Sequence, residues 1–235
     1  MIKVKKINIK IILKGILLIL AYMLLIPEIS ILIFKLLKLN LDDPIIYISL
    51  NNCVYIWTII MIVLIYKKDL EQELTLFKKN WKENLKIGFK NWALGFLFMM
   101  ITNLIIINIT GNIASNEEQN RTLIDSMPIL SFIFMVVFGP FIEEMLFRKP
   151  FKDGFQNKQI YCYFSAILFG SAHLIASITT YDIASNPYQL LFIIPYSGIG
   201  YFLAKSYIET DTIYTSTIFH AFHNAIAVIL AMLGG

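Results

Sequence analysis

The sequence predicts an all-α fold, a polytopic bundle of transmembrane helices, and three observations carry that prediction. Hydrophobic residues fill 57% of the 235 positions and charged ones only 15%, where a soluble domain carries roughly a quarter charged residues. The mean hydropathy is +0.68. Seven apolar stretches, at about 12–36, 45–66, 91–110, 128–148, 161–179, 189–207 and 212–233, each approach the roughly 20 residues that a helix needs to cross a bilayer. Little chain is left over for a soluble domain. No internal repeat, low-complexity tract, phosphate-binding glycine loop or nucleic-acid motif is present, so a nucleic-acid partner is not expected.

The first stretch follows Lys3, Lys5, Lys6, Lys10 and Lys14, as in the basic head of a signal peptide. It is too long for a signal's apolar region and lacks a small-residue cleavage pattern, so it reads as a retained span. Pro27-Glu28 lies inside it and would kink it or split it, giving eight pieces in place of seven. Lysines collect in alternate loops: Lys67, Lys68, Lys78, Lys79, Lys82, Lys86 and Lys90 in one, Lys149, Lys152 and Lys158 in another. The loops between are poor in positive charge, with Asp42 and Asp43 in 39–44, Arg121 alone in 111–127 and none in 180–188. By the positive-inside rule the N-terminus lies in the cytoplasm and the C-terminus outside. Lys35 and Lys38, at the outer end of the first span, are the exceptions.

Within the 67–90 loop, Leu70, Leu74, Phe77, Trp81 and Leu85 recur at helical spacing while lysines fill the other face. That pattern predicts an amphipathic helix lying on the lipid surface, with a partner-binding helix as the alternative. Cys53 and Cys162 fall inside apolar segments, where packing is the expected role.

Ionisable groups within spans cost about 2.5–3.5 kcal/mol each at a helix centre on insertion scales and usually face a cavity with a function. They are concentrated in the second half: Glu143, Glu144 and Arg148 in the fourth span, His173 in the fifth, His220, His223 and Asn224 in the seventh. All three histidines are inside apolar helices. His220 and Asn224, four apart, project from one face, and His223 points away from them. Glu143 and Glu144 lie about 100° apart around their helix, so they are expected to do different jobs. Glu144 and Arg148 have the i,i+4 spacing of an intrahelical ion pair, leaving Glu143 to face a cavity as a general base. Phe169 reads as core packing. A purely structural hydrogen-bond network of Glu143, His173, His220 and Asn224 is the competing reading.

At these positions the sequence resembles the CPBP family, the CAAX proteases and bacteriocin-processing enzymes that include the type II CAAX prenyl endopeptidases. The family's EExxxR matches Glu143-Glu144-Met145-Leu146-Phe147-Arg148, its FxxxH matches Phe169 to His173, and its HxxxN matches His220 to Asn224. The resemblance covers about residues 128–224. One departure is Lys149-Pro150, where relatives often have a glycine after the arginine.

The resemblance implies a division into N-terminal transmembrane helices with the amphipathic loop, 1–127, and a catalytic helix core, 128–235. It also implies proteolysis within the membrane of a membrane-associated, leader or prenylated peptide, without a covalent intermediate. Glu143 and His173 would activate water while His220 and Asn224 stabilise the oxyanion, with Glu144, Arg148 and Phe169 in support. Members are often labelled metalloproteases. The metal-free reading is favoured; a zinc ion, if one is used, would sit on Glu143, His173 and His220. The rival functions are a proton or ion transporter and a non-catalytic scaffold, immunity or regulatory protein acting on a membrane partner such as a sensor kinase. The richness in Ile, Lys and Asn points to a bacterial cell membrane.

Overall fold

The computed structural model of the chain describes residues 7–41, 43–180 and 186–233. Lys3, Lys5, Lys6, Asp42 and most of the 180–188 loop lie outside the described residues. Among those described, the chain forms eight helices: α1 (Ile9–Leu36), α2 (Pro44–Lys79), α3 (Trp81–Thr110), α4 (Ser115–Ser126), α5 (Pro128–Gly154), α6 (Lys158–Thr180), α7 (Ile193–Thr210) and α8 (Ile213–Leu233). The only strand-like pairing among them is an isolated bridge between Ile7 and Phe155.

Five of these helices, α1, α2, α3, α5 and α8, are long and apolar enough to cross a membrane. Their outer faces carry bare aliphatic side chains, with Leu64 77%, Ile109 75% and Ile129 78% exposed, a surface suited to lipid and not to water. The remaining two predicted spans, α6 and α7, form the most extensively packed helix pair, and α3 closes on the other side of α7. The protein is an integral membrane helix bundle.

Pro27 does not split the first span. The Ile26 N–H reaches back to the Ala21 carbonyl, making a π turn over Ala21–Leu25, and the helix runs on to Leu36. The π register absorbs the donor that proline lacks, so the axis continues.

The predicted surface helix within 67–90 is not a separate element. Residues up to Lys79 prolong α2, the chain breaks only at Asn80 (φ −122, ψ 25), and Trp81 begins α3. The reason is Glu73, a charge buried at 7% exposure on the inward face. Its carboxylate accepts hydrogen bonds from Lys149 Nζ at 2.5 Å, the Tyr207 hydroxyl at 2.9 Å and the Ile213 backbone N–H at 2.7 Å. The last of these is an unpaired N–H at the start of α8, which a carboxylate satisfies both as acceptor and as a charge at the positive helix end.

The basic segments meet at one end of the bundle. Besides the Glu73 cluster, Asn8 N–H donates to the Gly154 carbonyl at 2.8 Å, and Lys152 pairs with Asp211. At the other end, buried Gln189 clamps the entry to α4. It accepts from the Ser115 N–H at 3.0 Å and donates to the Ile113 carbonyl at 3.0 Å.

Candidate intramembrane active site

The two adjacent glutamates of α5 have opposite surroundings. Glu144 is wholly buried, and so is Arg148, whose Nη1 lies 3.4 Å from Glu144 Oε1. The guanidinium also sits over the Phe169 ring, 4.0 Å from its centroid, a cation–π contact that helps hold a charge whose N–H groups make no hydrogen bond. Glu144 Oε1 accepts a further hydrogen bond from His220 Nδ1 at 2.9 Å. Near the end of the α5 α-helical segment, the Phe147 and Arg148 carbonyls accept from Ser165 Oγ at 2.8 Å and the Tyr161 hydroxyl at 3.2 Å. These bonds pin the segment to α6.

Glu143, one residue earlier, keeps 28% of its side chain exposed. It faces a cavity of about 520 Å³ whose lining includes Glu143, Phe169, His173, His220, His223 and Asn224. Its Oε2 makes no hydrogen bond within the protein and lies 3.5 Å from His220 Nε2. His220 therefore sits between the two glutamates, one ring nitrogen toward each. Because a carboxylate can only accept, Nδ1 carries the proton toward Glu144 and Nε2 is the atom that looks into the cavity.

Asn224 enters through a backbone defect. The Gly139 N–H closes a π turn on the Phe134 carbonyl over Phe134–Phe138, and the next residue, Pro140, has no N–H. Met135's carbonyl is left without a donor from its own helix. Asn224 Nδ2 supplies it at 2.8 Å, which fixes the amide and leaves its second N–H free to act.

His173 donates from Nδ1 to the Phe169 carbonyl at 3.0 Å, so its Nε2 is also the free atom. His223, expected to point away, lines the cavity too, edge-on to Phe96 at 5.9 Å. The imidazole in contact with Glu143 is that of His220.

A family model described as "Type II CAAX prenyl endopeptidase Rce1-like" matches residues 125–226, which contain all of these groups. That part of the chain is therefore similar to the family whose three motifs it carries. Among curated proteins, the chain is similar to the membrane-embedded CAAX protease MroQ of Staphylococcus aureus (strain USA300), 25% identical over 146 residues, 60% of this chain and 56% of that protein. The chain thus matches little more than half the length of that relative. No solved structure matches it.

Metalloprotease labels in the CPBP family raise the question of a metal. Among the described residues no three His, Cys, Asp or Glu side chains are grouped so as to hold one, and Glu143, His173 and His220 do not make such a set. His173 and His220 each have Nδ1 committed to a protein acceptor, which leaves Nε2 as the atom either could offer to a metal. Sequence reasoning did not find the Met135 carbonyl that anchors Asn224, although a proline inside a predicted span marks a carbonyl in need of a donor. Nor did it find Tyr196, whose ring lies flat against His173 with centroids 4.5 Å apart.

Proposed function

We propose that this chain is an intramembrane peptidase that hydrolyses a peptide bond of a membrane-associated, leader or prenylated peptide by a water that Glu143 activates. The observation that carries this reading is the unequal fate of two adjacent carboxylates. Glu144 is neutralised by Arg148 and spent on orienting His220, whereas Glu143 has an oxygen free of protein hydrogen bonds at the wall of a polar-floored cavity.

In this reading a water donates a hydrogen bond to Glu143, sitting about 2.8 Å from it. As the water oxygen attacks the scissile carbonyl carbon, its proton passes to Glu143. The carbonyl π pair becomes the oxyanion, which Asn224's free N–H stabilises together with His220 when that ring carries a proton on both nitrogens, Nδ1 toward Glu144 and Nε2 toward the cavity. His173 Nε2 completes the water's surroundings. Collapse of the tetrahedral intermediate breaks the C–N bond, and the leaving nitrogen takes the proton back from Glu143. No Ser or Cys stands in a recognisable nucleophile motif, which favours direct attack by water. The donor geometry favours a mechanism in which no metal holds that water.

The test uses purified protein in lipid nanodiscs and two quenched fluorogenic peptides, one ending in a prenylated CAAX sequence and one a secreted-peptide leader. Glu143→Gln should lose cleavage by at least about a hundredfold, the lower range for a general base, while accumulating normally in the membrane. Full cleavage by that variant would end this reading and leave the binding scaffold. Dialysis against a chelator should leave the rate unchanged; a rate lost and then restored by zinc would replace the metal-free route.

A further inference from the structure

His173 is the middle ring of a three-ring stack. Phe169, on its own helix, lies beside it with centroids 4.3 Å apart and planes tilted by 50°. Tyr196 of α7 covers the other side at 4.5 Å with planes only 24° from parallel. The single bond from Nδ1 to the Phe169 carbonyl tethers one edge of the imidazole but leaves the ring free to swing about that edge. Two flanking rings remove the swing.

The close approach of α6 and α7 brings Tyr196 there. At Gly170 a Cβ would sit 2.2 Å from Ser197 Oγ and 3.0 Å from both the Ile193 carbonyl oxygen and the Ser197 nitrogen. Only glycine lets the helices meet so closely, and Tyr196 is the neighbour of that contact. The outer end of the tyrosine is held as well, since Asn116 Nδ2 donates to its hydroxyl at 3.4 Å. Asn116 belongs to the first turn of α4, the turn that Gln189 clamps. Tyr196 lines the same cavity as Glu143 and His220. Ordinary core packing would account for an aromatic here, but not for a near-parallel ring against the one imidazole of α6 with its hydroxyl separately tied.

We propose that Tyr196 is a positioning residue for His173: its ring fixes the imidazole plane so that Nε2 points into the cavity, and Asn116 keeps that ring in place. The consequence for catalysis rests on the peptidase reading, whereas the positioning itself does not.

The chain has three histidines, so the imidazole ¹⁵N and ¹³C signals of histidine-labelled protein in detergent can be assigned by three single His→Gln variants. Tyr196→Leu should shift the His173 signal downfield by loss of ring current while leaving those of His220 and His223 in place. Tyr196→Phe should keep the wild-type position, and both it and Asn116→Ala, which each remove the tie to the hydroxyl, should broaden the His173 signal. With the prenylated peptide, Tyr196→Leu should lower kcat by about ten- to a hundredfold, the usual effect of removing an orienting partner, with KM little changed, and Tyr196→Phe should recover most of it. A His173 signal unmoved in Tyr196→Leu overturns the proposal, as does a Phe variant no better than Leu. If Tyr196→Leu does not accumulate, Asn116→Ala decides, and an unchanged His173 line in it overturns the clamp. If the unaltered protein cleaves neither peptide, the peptidase reading loses its support, while the spectra still settle the positioning.

Discussion

At the scale of single residues, two adjacent carboxylates part ways: Glu144 is buried against Arg148, and Glu143 stays at the cavity wall. Arg148 has no hydrogen-bonded partner through its guanidinium nitrogens and answers only to Glu144 at 3.4 Å and the Phe169 ring at 4.0 Å. Removing it leaves Glu144 as an uncompensated charge in an apolar core, a loss of about 3–5 kcal/mol in comparable buried pairs. Arg148→Met should therefore cut the yield of folded protein and lower Tm. The double variant Glu144→Gln with Arg148→Met should recover much of that stability, because no lone charge remains. Thermal unfolding in detergent measures both, and a single variant as stable as the parent would mean that Arg148 does not hold Glu144. This pair was legible in the sequence, since an acid and a base four apart on one helix have few other partners within a span. Glu73 was not. It sits in a run whose apolar period dominates, and its partners Lys149, Tyr207 and Ile213 lie 76, 134 and 140 residues away, so only the folded chain brings them together.

Among the elements, α5 differs from the idealised helix that hydropathy suggests, and the difference is functional in form. Its π turn and Pro140 together orphan the Met135 carbonyl, and Asn224 of α8 is the donor that answers it. A helix defect thus sets the register between α5 and α8 and, through it, the place of Asn224 beside His220. The hydropathy pattern gave the span and the HxxxN spacing gave the face, but neither contains the backbone register, which follows from proline's missing N–H. Replacing Pro140 by Ala returns a donor to the helix and makes the Asn224 bond dispensable. Pro140→Ala should keep or raise Tm, because a helix breaker is removed, while kcat falls as the Asn224 amide loses its anchor. A variant that cleaves at the parental rate would show that the amide is held by something other than the Met135 carbonyl.

For the whole molecule, the basic segments share one end. The Glu73–Lys149 contact joins α2 to the turn after α5, the Lys152–Asp211 pair joins that turn to the α7–α8 corner, and Asn8 hydrogen-bonds Gly154. The corner between α3 and α4 and the turn carrying Gln189 occupy the opposite end. Alternation of ends along the chain fits seven crossings, and by the lysine asymmetry the basic end would lie in the cytoplasm. The cavity reaches from Glu143 to Asn116, Glu117 and Arg121 of α4, so this orientation would open the site toward the outer face. Exposed positions test it in a background with Cys53 and Cys162 replaced by Ala. With a membrane-impermeant maleimide on intact cells, Glu118→Cys should label at once, whereas Lys79→Cys and Gln156→Cys should label only after permeabilisation. Labelling of Lys79→Cys and Gln156→Cys in intact cells, with Glu118→Cys protected, would invert the orientation and turn the cavity mouth toward the cytoplasm.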